Sequence, residues 1–203
     1  MAYKNALVYT IDDDPDVLEM ISDTLAPGFD VISFGDPQGV LAASRAQPAD
    51  VYVLDYILPK MNGIQLAQTL KDRGIFRPFL MLSGRTGYKQ AQEAMDLGVI
   101  QMIDKPFEPD DLMASVSRAA VISIQNQLTR DIVNDYKRLV DIYEGLLTRF
   151  QYALKDHSIL DLALTLKGLE KLEDLREKIK DKHRQQEMLA VAICHFVDDE
   201  EKQ

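Results

Sequence analysis

Two kinds of apolar spacing divide this chain. Up to about residue 120, short apolar runs of strand length recur at residues 6–11, 29–34, 51–54, 79–82 and 99–103. Several are apolar at successive positions, as a parallel strand covered on both faces requires. Between them the apolar positions step by three and four. Val17, Leu18, Ile21 and Leu25 form one such face, and Val40 and Leu41 fall in a second segment. Ile64, Leu66, Ala67 and Leu70 follow the Asn62-Gly63 turn. Ala91, Ala94, Met95 and Leu97 precede Gly98, and Leu112, Met113, Val116 and Ala119 begin a fifth helix. Five strands alternating with five helices predict an α/β domain, a doubly wound five-stranded parallel sheet.

Beyond Val121 the strand-length runs stop. Ile124, Leu128, Ile132, Tyr136, Leu139, Tyr143, Leu146, Phe150 and Ala153 recur in threes and fours and read as one helical face. Asp156-His157-Ser158 interrupts this weakly. A second run follows at Leu162, Leu166, Leu169, Leu172, Leu175 and Ile179. A last segment holds Leu189, Ala192, Ile193 and Phe196, before a solvated acidic end. All eight prolines lie at or before Pro109, and only Gly145 and Gly168 follow Gly98. Punctuation that stops so abruptly marks a change from alternating elements to long helices. The expected division is an α/β domain over 1–122 and an all-α, coiled-coil-like region over 123–203. An apolar stripe this long needs a partner, so the expectation is a homodimer through the C-terminal helices, with a folded-back intrachain bundle as the rival.

Composition narrows the function classes. The 46% hydrophobic and 28% charged residues are ordinary for a globular protein. The single cysteine, Cys194, excludes an intrachain disulfide framework and suits a reducing cytoplasm. No apolar stretch approaches the roughly 18–20 residues of a membrane span, so no membrane association is expected. Net charge is −10, with 10 Lys and Arg against 17 Asp and Glu up to residue 122 and 13 against 16 after it. Excess negative charge opposes phosphate-backbone contacts, so no nucleic acid is expected as partner.

The candidate chemistry lies at the predicted strand ends. Asp12-Asp13-Asp14 follows the first strand, Asp55 ends the third, Ser83 ends the fourth and Lys105 follows the fifth. In a parallel sheet these ends converge on one crevice. Carboxylates gathered there repel one another, and a hard divalent cation relieves the repulsion. Magnesium fits, since it takes few carboxylates and keeps positions for water and phosphate oxygens. Asp55 could then act as a carboxylate nucleophile on phosphorus, with Lys105 and Ser83 stabilising the transferred charge.

The words IDDDP, VYVLDYILPKMNG, MLSG and DKPF stand in this order over about residues 4–120. Together they resemble the receiver domain of two-component response regulators, which has a flavodoxin-like fold. The resemblance implies that Asp55 accepts a phosphoryl group from a histidine kinase or phosphotransfer protein. It implies magnesium (Mg2+) bound by Asp13, Asp55 and the backbone carbonyl of Ile57, with Asp12 beside the metal through water. Lys105 would pair with the phosphoryl group across a cis Lys105-Pro106 bond, and Ser83 would turn toward its oxygens. Such a domain is a phosphoacceptor rather than an enzyme, with at most slow self-dephosphorylation. Asp14 has no metal role in the pattern and is expected to cap the first helix before Pro15. One position departs: many receivers carry Tyr or Phe three residues before the lysine, and here it is Met102.

Two alternatives differ in class. An aspartyl-phosphate phosphotransferase enzyme typically has a second acid two residues after the nucleophile, where this chain has Ile57. A phosphorelay module would pass the group between Asp55 and a tail histidine, His157. The word ALTLKG is similar to the phosphotransfer-domain motif, but Leu164 occupies the histidine position. His183 reads as solvated.

Overall fold

The computed structural model describes residues 6–84, 88–156 and 159–200. They form two compact units, one up to Ile124 and the other from Gln125. In the first, five strands alternate with helices: β1 (Leu7–Ile11), α1 (Pro15–Leu25), β2 (Asp30–Phe34), α2 (Pro37–Ala46), β3 (Val51–Asp55), α3 (Gly63–Asp72), β4 (Phe79–Ser83), α4 (Tyr88–Asp96), β5 (Val99–Asp104) and the start of α5 (Pro109–Asp156). The sheet is parallel throughout, in the order β2-β1-β3-β4-β5. This is the flavodoxin-like doubly wound arrangement, whose order reverses between β1 and β3.

Alternation along the strands builds two cores. Tyr9, Ile11, Tyr52, Leu54, Phe79 and Met81 face Val40 and Leu41 of α2, Leu66 and Leu70 of α3, and Ala94 of α4. Val8, Val51, Val53, Leu80 and Leu82 point the other way, against Ile21 and Leu25 of α1 and Leu112 and Val116 of α5. Every residue of β3 and β4 is buried, which is why these strands read as unbroken apolar runs. β2 is the edge strand beside β1 and is mostly exposed. Met95 departs from the expected inward face of α4 and is 66% exposed, whereas Ala94 is buried. The strands also end one residue later than their apolar runs, because Asp55, Ser83 and Asp104 still pair in the ladder.

Local chemistry sets the helix ends. Asp14 caps α1 as expected, accepting from the Asp16 amide at 2.9 Å with Pro15 in the first turn. Asn62 and Gln65 form a reciprocal capping box on α3. Gly98 closes α4 at a φ of 74°, a left-handed conformation that glycine adopts without strain.

In the second unit, the remainder of α5 folds against α6 (Ile159–Glu200) as an antiparallel hairpin. Thr129 bonds Gln186, Asp135 pairs with Lys182, and Gly168 lies against Leu146, so partner numbers run in opposite directions. Lys182 meets an Asp135 carboxylate that is almost buried. A Cβ on Gly168 would overlap the Leu146 side chain, so the glycine sets how closely the helices approach.

Two sequence readings of this region change. The segment from Leu189 is not separate: α6 runs through it to Glu200, because the polar Gln185-Gln186-Glu187 stretch contains no helix breaker. The single stripe on α5 is two stripes. Ile132, Leu139 and Leu146 are covered or half-covered, while Tyr136, Tyr143 and Phe150 stand 44–54% exposed. On α6, Leu172, Leu175 and Ile179 turn inward, but Leu166 and Leu169 remain exposed. His183 is exposed as expected, its Nε2 3.3 Å from the Tyr136 hydroxyl. No described helix is long and apolar enough to cross a membrane.

Candidate functional site

The carboxyl ends of β1, β3 and β5 bring an acidic crevice together. β1 delivers Asp12 and Asp13 directly after Ile11, and the neighbouring β3 ends on Asp55. One carboxylate oxygen from each of Asp12, Asp13 and Asp55 lies within 4.8 Å of the others. Asp12 and Asp55 are buried, whereas Asp13 faces water. Lys105, one residue past β5, reaches across the sheet. Its Nζ lies 2.5 Å from Asp12 Oδ2 and 2.7 Å from Asp55 Oδ1. Its backbone N–H donates to the Ser83 carbonyl at 2.7 Å, and the Lys105-Pro106 bond is cis, as the resemblance implied.

The backbone completes the cradle. The Ile57 N–H donates to Asp55 Oδ2 at 2.7 Å, so both oxygens of Asp55 are engaged by donors. Asp12 Oδ1 accepts from the Asp14 amide at 3.0 Å, turning the acidic triplet so that its first two members face the crevice and the third caps α1. Ser83 is buried at the end of β4, beside the β3 end that carries Asp55. Met102 sits half-buried on β5 opposite Met81, packed on the core beneath α3 and α4. His157 lies outside the described residues. Leu164, at the phosphotransfer-motif position, is 40% exposed on α6.

Electrostatics follows from one ammonium serving several acids. Burial pushes the Asp55 carboxyl above its usual value. Lys105 pulls the other way without cancelling the rise, and the nearby Asp12 adds to it. Burial works against the Lys105 ammonium too, yet its bonds to Asp12 and Asp55 outweigh that and hold it above the usual lysine value. Three carboxylates against one ammonium leave the crevice negative. The donors are all hard oxygens, and one of them is open to water. That set fits a small divalent cation such as magnesium, which keeps part of its water shell.

Sequence reasoning passed over Gly63. It was read as the second half of an Asn-Gly turn, but its main role is close approach. A Cβ there would overlap the Asp55 carbonyl oxygen and stand 3.2 Å from both the Asp55 carbonyl carbon and the Tyr56 Cα. All three are backbone atoms and cannot swing aside. Gly63→Ala is expected to cost about 2 kcal/mol and to slow phosphoryl labelling, because relief requires moving the end of β3. Denaturant unfolding together with acetyl phosphate labelling checks this. Unchanged values for both would mean that α3 shifts freely. The only sequence signal was that the Asn-Gly pair lies so soon after the buried strand end.

The family model of the response regulator receiver domain matches residues 8–117. The chain is 35% identical over 111 residues to the DNA-binding response regulator MtrA of Mycolicibacterium smegmatis, covering 54% of this chain and 48% of that protein. It is 26% identical over 161 residues to the alkaline phosphatase synthesis transcriptional regulatory protein PhoP of Bacillus subtilis, covering 74% of this chain and 67% of that one. The chain thus spans about half to two thirds of the length of these relatives. Among solved structures, the Vibrio cholerae chemotaxis protein CheY4 matches at 29% identity and a TM-score of 0.54, over 56% of this chain and 98% of its own. With its sheet order, its acidic strand ends and this match, the chain belongs to the response regulator receiver domain family.

Proposed function

We propose that this protein is a two-component response regulator that accepts a phosphoryl group on Asp55. The observation that carries the reading is the Lys105 ammonium, held between Asp12 and Asp55 where three strand ends meet. A carboxylate oxygen of Asp55 attacks the phosphorus of a phosphohistidine on a histidine kinase or phosphotransfer protein. The P–N bond breaks, the imidazole leaves with the electron pair, and an aspartyl phosphate forms. Lys105 pairs with the incoming phosphoryl oxygens, and the Ser83 hydroxyl donates to another. Asp13, Asp55 and the carbonyl of Ile57 would hold magnesium, with Asp12 beside them, and the ion would neutralise charge on the phosphoryl oxygens.

The phosphoacceptor reading is tested by incubating the chain with acetyl phosphate and magnesium and mapping the modified peptide. Modification within β3 is expected; modification elsewhere, or none, would overturn it. Asp13→Asn is expected to weaken magnesium binding at least tenfold, read by calorimetric titration. Unchanged affinity would break the metal assignment.

Output passes through association of the helical region, and the protein acts in the cytoplasm. The net charge of −10 supports a protein partner over nucleic acid. Beryllofluoride with magnesium, a mimic of the phosphorylated carboxylate, is expected to change the mass of the protein in solution or its capture of a partner.

A further inference from the structure

The outward stripe of α5 is a second, complete seam. Val133, Tyr136, Val140, Tyr143, Leu147 and Phe150 step by three, four, three, four and three, and each is 44–54% exposed. This is a seven-residue repeat with every apolar position filled. It lies one residue round the helix from the inward stripe of Ile132, Leu139 and Leu146, which packs toward α6. A helix with two adjacent seams is built for a bundle of more than two helices. The hairpin covers the inward one and touches the outward one at Tyr136, which meets His183 and stays 47% exposed.

The open seam is large enough to matter. Leu166 and Leu169 of α6 border the same groove as Tyr143, Leu147 and Phe150, and they are 65% and 48% exposed. At these exposures the eight side chains present roughly 800 Å² of accessible surface, about what each partner contributes to a stable interface. Apolar patches of that size are uncommon on monomers.

We infer that this seam binds a second copy of the chain, with the two α5 helices antiparallel, so that two hairpins close into a four-helix bundle. The residue order selects this occupant and this direction. Antiparallel pairing sets Val133 against Phe150 of the second copy, Tyr136 against its Leu147, and Val140 against its Tyr143. Every layer then joins one aliphatic and one aromatic side chain, the large-with-small matching that fills a core evenly. Parallel pairing would instead stack like on like, alternating thin Val–Val layers with crowded Tyr–Tyr and Phe–Phe layers. The flanking charges agree. Lys137 and Glu144 occupy equivalent positions one residue after Tyr136 and Tyr143. In the antiparallel register Lys137 of each copy falls beside Glu144 of the other, giving two complementary pairs. The inference deepens the proposal that output runs through the helical region, and it is independent of the chemistry at Asp55.

The test uses the full chain and reads mass by sedimentation over a concentration series, with acetyl phosphate labelling and helical circular dichroism on the same samples. The native chain is expected to be a dimer. Val140→Glu places a carboxylate in both central layers and is expected to raise Kd at least a hundredfold with helicity and labelling unchanged. Lys137→Glu and Glu144→Lys are each expected to raise Kd about tenfold by setting like charges opposite one another, and the double exchange to restore it. A monomeric native chain at tens of micromolar would overturn the self-pairing and leave the seam to a different protein. A dimer indifferent to Val140→Glu would place the interface elsewhere, and failure of the double exchange to restore Kd would overturn the antiparallel register. Intact labelling in any of these cases would leave the phosphoacceptor reading standing.

Discussion

Replacing Asp55 by Asn is expected to abolish labelling by acetyl phosphate and, in the same protein, to raise the unfolding temperature of the metal-free form. The first effect follows from chemistry: an amide oxygen is too weak a nucleophile to take the phosphoryl group. The second follows from the crowded crevice. Asp12 and Asp55 share one ammonium, and burial pushes the Asp55 carboxyl up despite it. A folded-state pKa above the unfolded value means that the folded state holds the proton more tightly. The ionised carboxylate therefore costs no stability below the ordinary aspartate range. It costs progressively more as pH rises from the unfolded value toward the raised one, and the cost is complete above the raised value. Asn removes that cost while Lys105 keeps its pair with Asp12. A rise in unfolding temperature is expected above the raised value, and it should disappear on acidification. Thermal unfolding at two pH values in a chelating buffer reads it. A loss of stability at neutral pH would show that the Lys105–Asp55 pair outweighs the burial cost. Undiminished labelling would move the phosphoacceptor away from β3.

Lys105→Met is expected to act on the same crevice in the opposite sense. The Asp12 and Asp55 side chains are only 2% and 8% exposed, and removing the cation leaves both uncompensated. Breaking a buried pair from one side is costly because the remaining charges stay desolvated. Here the crevice is partly open to water, so about 2–3 kcal/mol is expected at neutral pH. The pH dependence separates this from lost packing. Without the ammonium the Asp55 carboxyl loses the group that opposes its rise and binds its proton more tightly, so the penalty shrinks as pH falls. Magnesium is expected to recover part of it through binding to the folded state. Labelling is expected to slow about a hundredfold or more, the usual effect of removing one stabilising group from a charged transition state. A penalty independent of pH and magnesium would mean that Lys105 supports the fold through its aliphatic stem instead.

Most of the first unit was legible in the sequence because burial there is nearly complete. β3 and β4 are covered on both faces, so their apolar runs mark strands without ambiguity, and the polar residues that end them mark one edge of the sheet. Asp12, Asp13, Asp55, Ser83 and Lys105 stand at one edge of the sheet, as expected, because strand ends in a parallel sheet converge whatever the helices do. Gly63 was missed because its constraint is a distance to a backbone carbonyl eight residues earlier, which leaves no local pattern. Met95 was misplaced because a three-four step gives the direction of a face but not its width.

For the helical unit the division is sharper. Sequence alone determined that the region is helical, long and apolar along its length, since those properties follow from local spacing and the absence of proline. It also pointed to an acidic crevice with a lysine, because residue type and strand-end position suffice for that. Only the tertiary structure decided that α6 folds back on α5, and therefore that one apparent stripe is two. Adjacent helical positions differ by about 100°, so Ile132 and Val133 look alike in sequence while one is covered by the hairpin and the other stays exposed. Only the tertiary structure, too, set one lysine between two buried carboxylates, an arrangement that depends on side chains reaching across three strands.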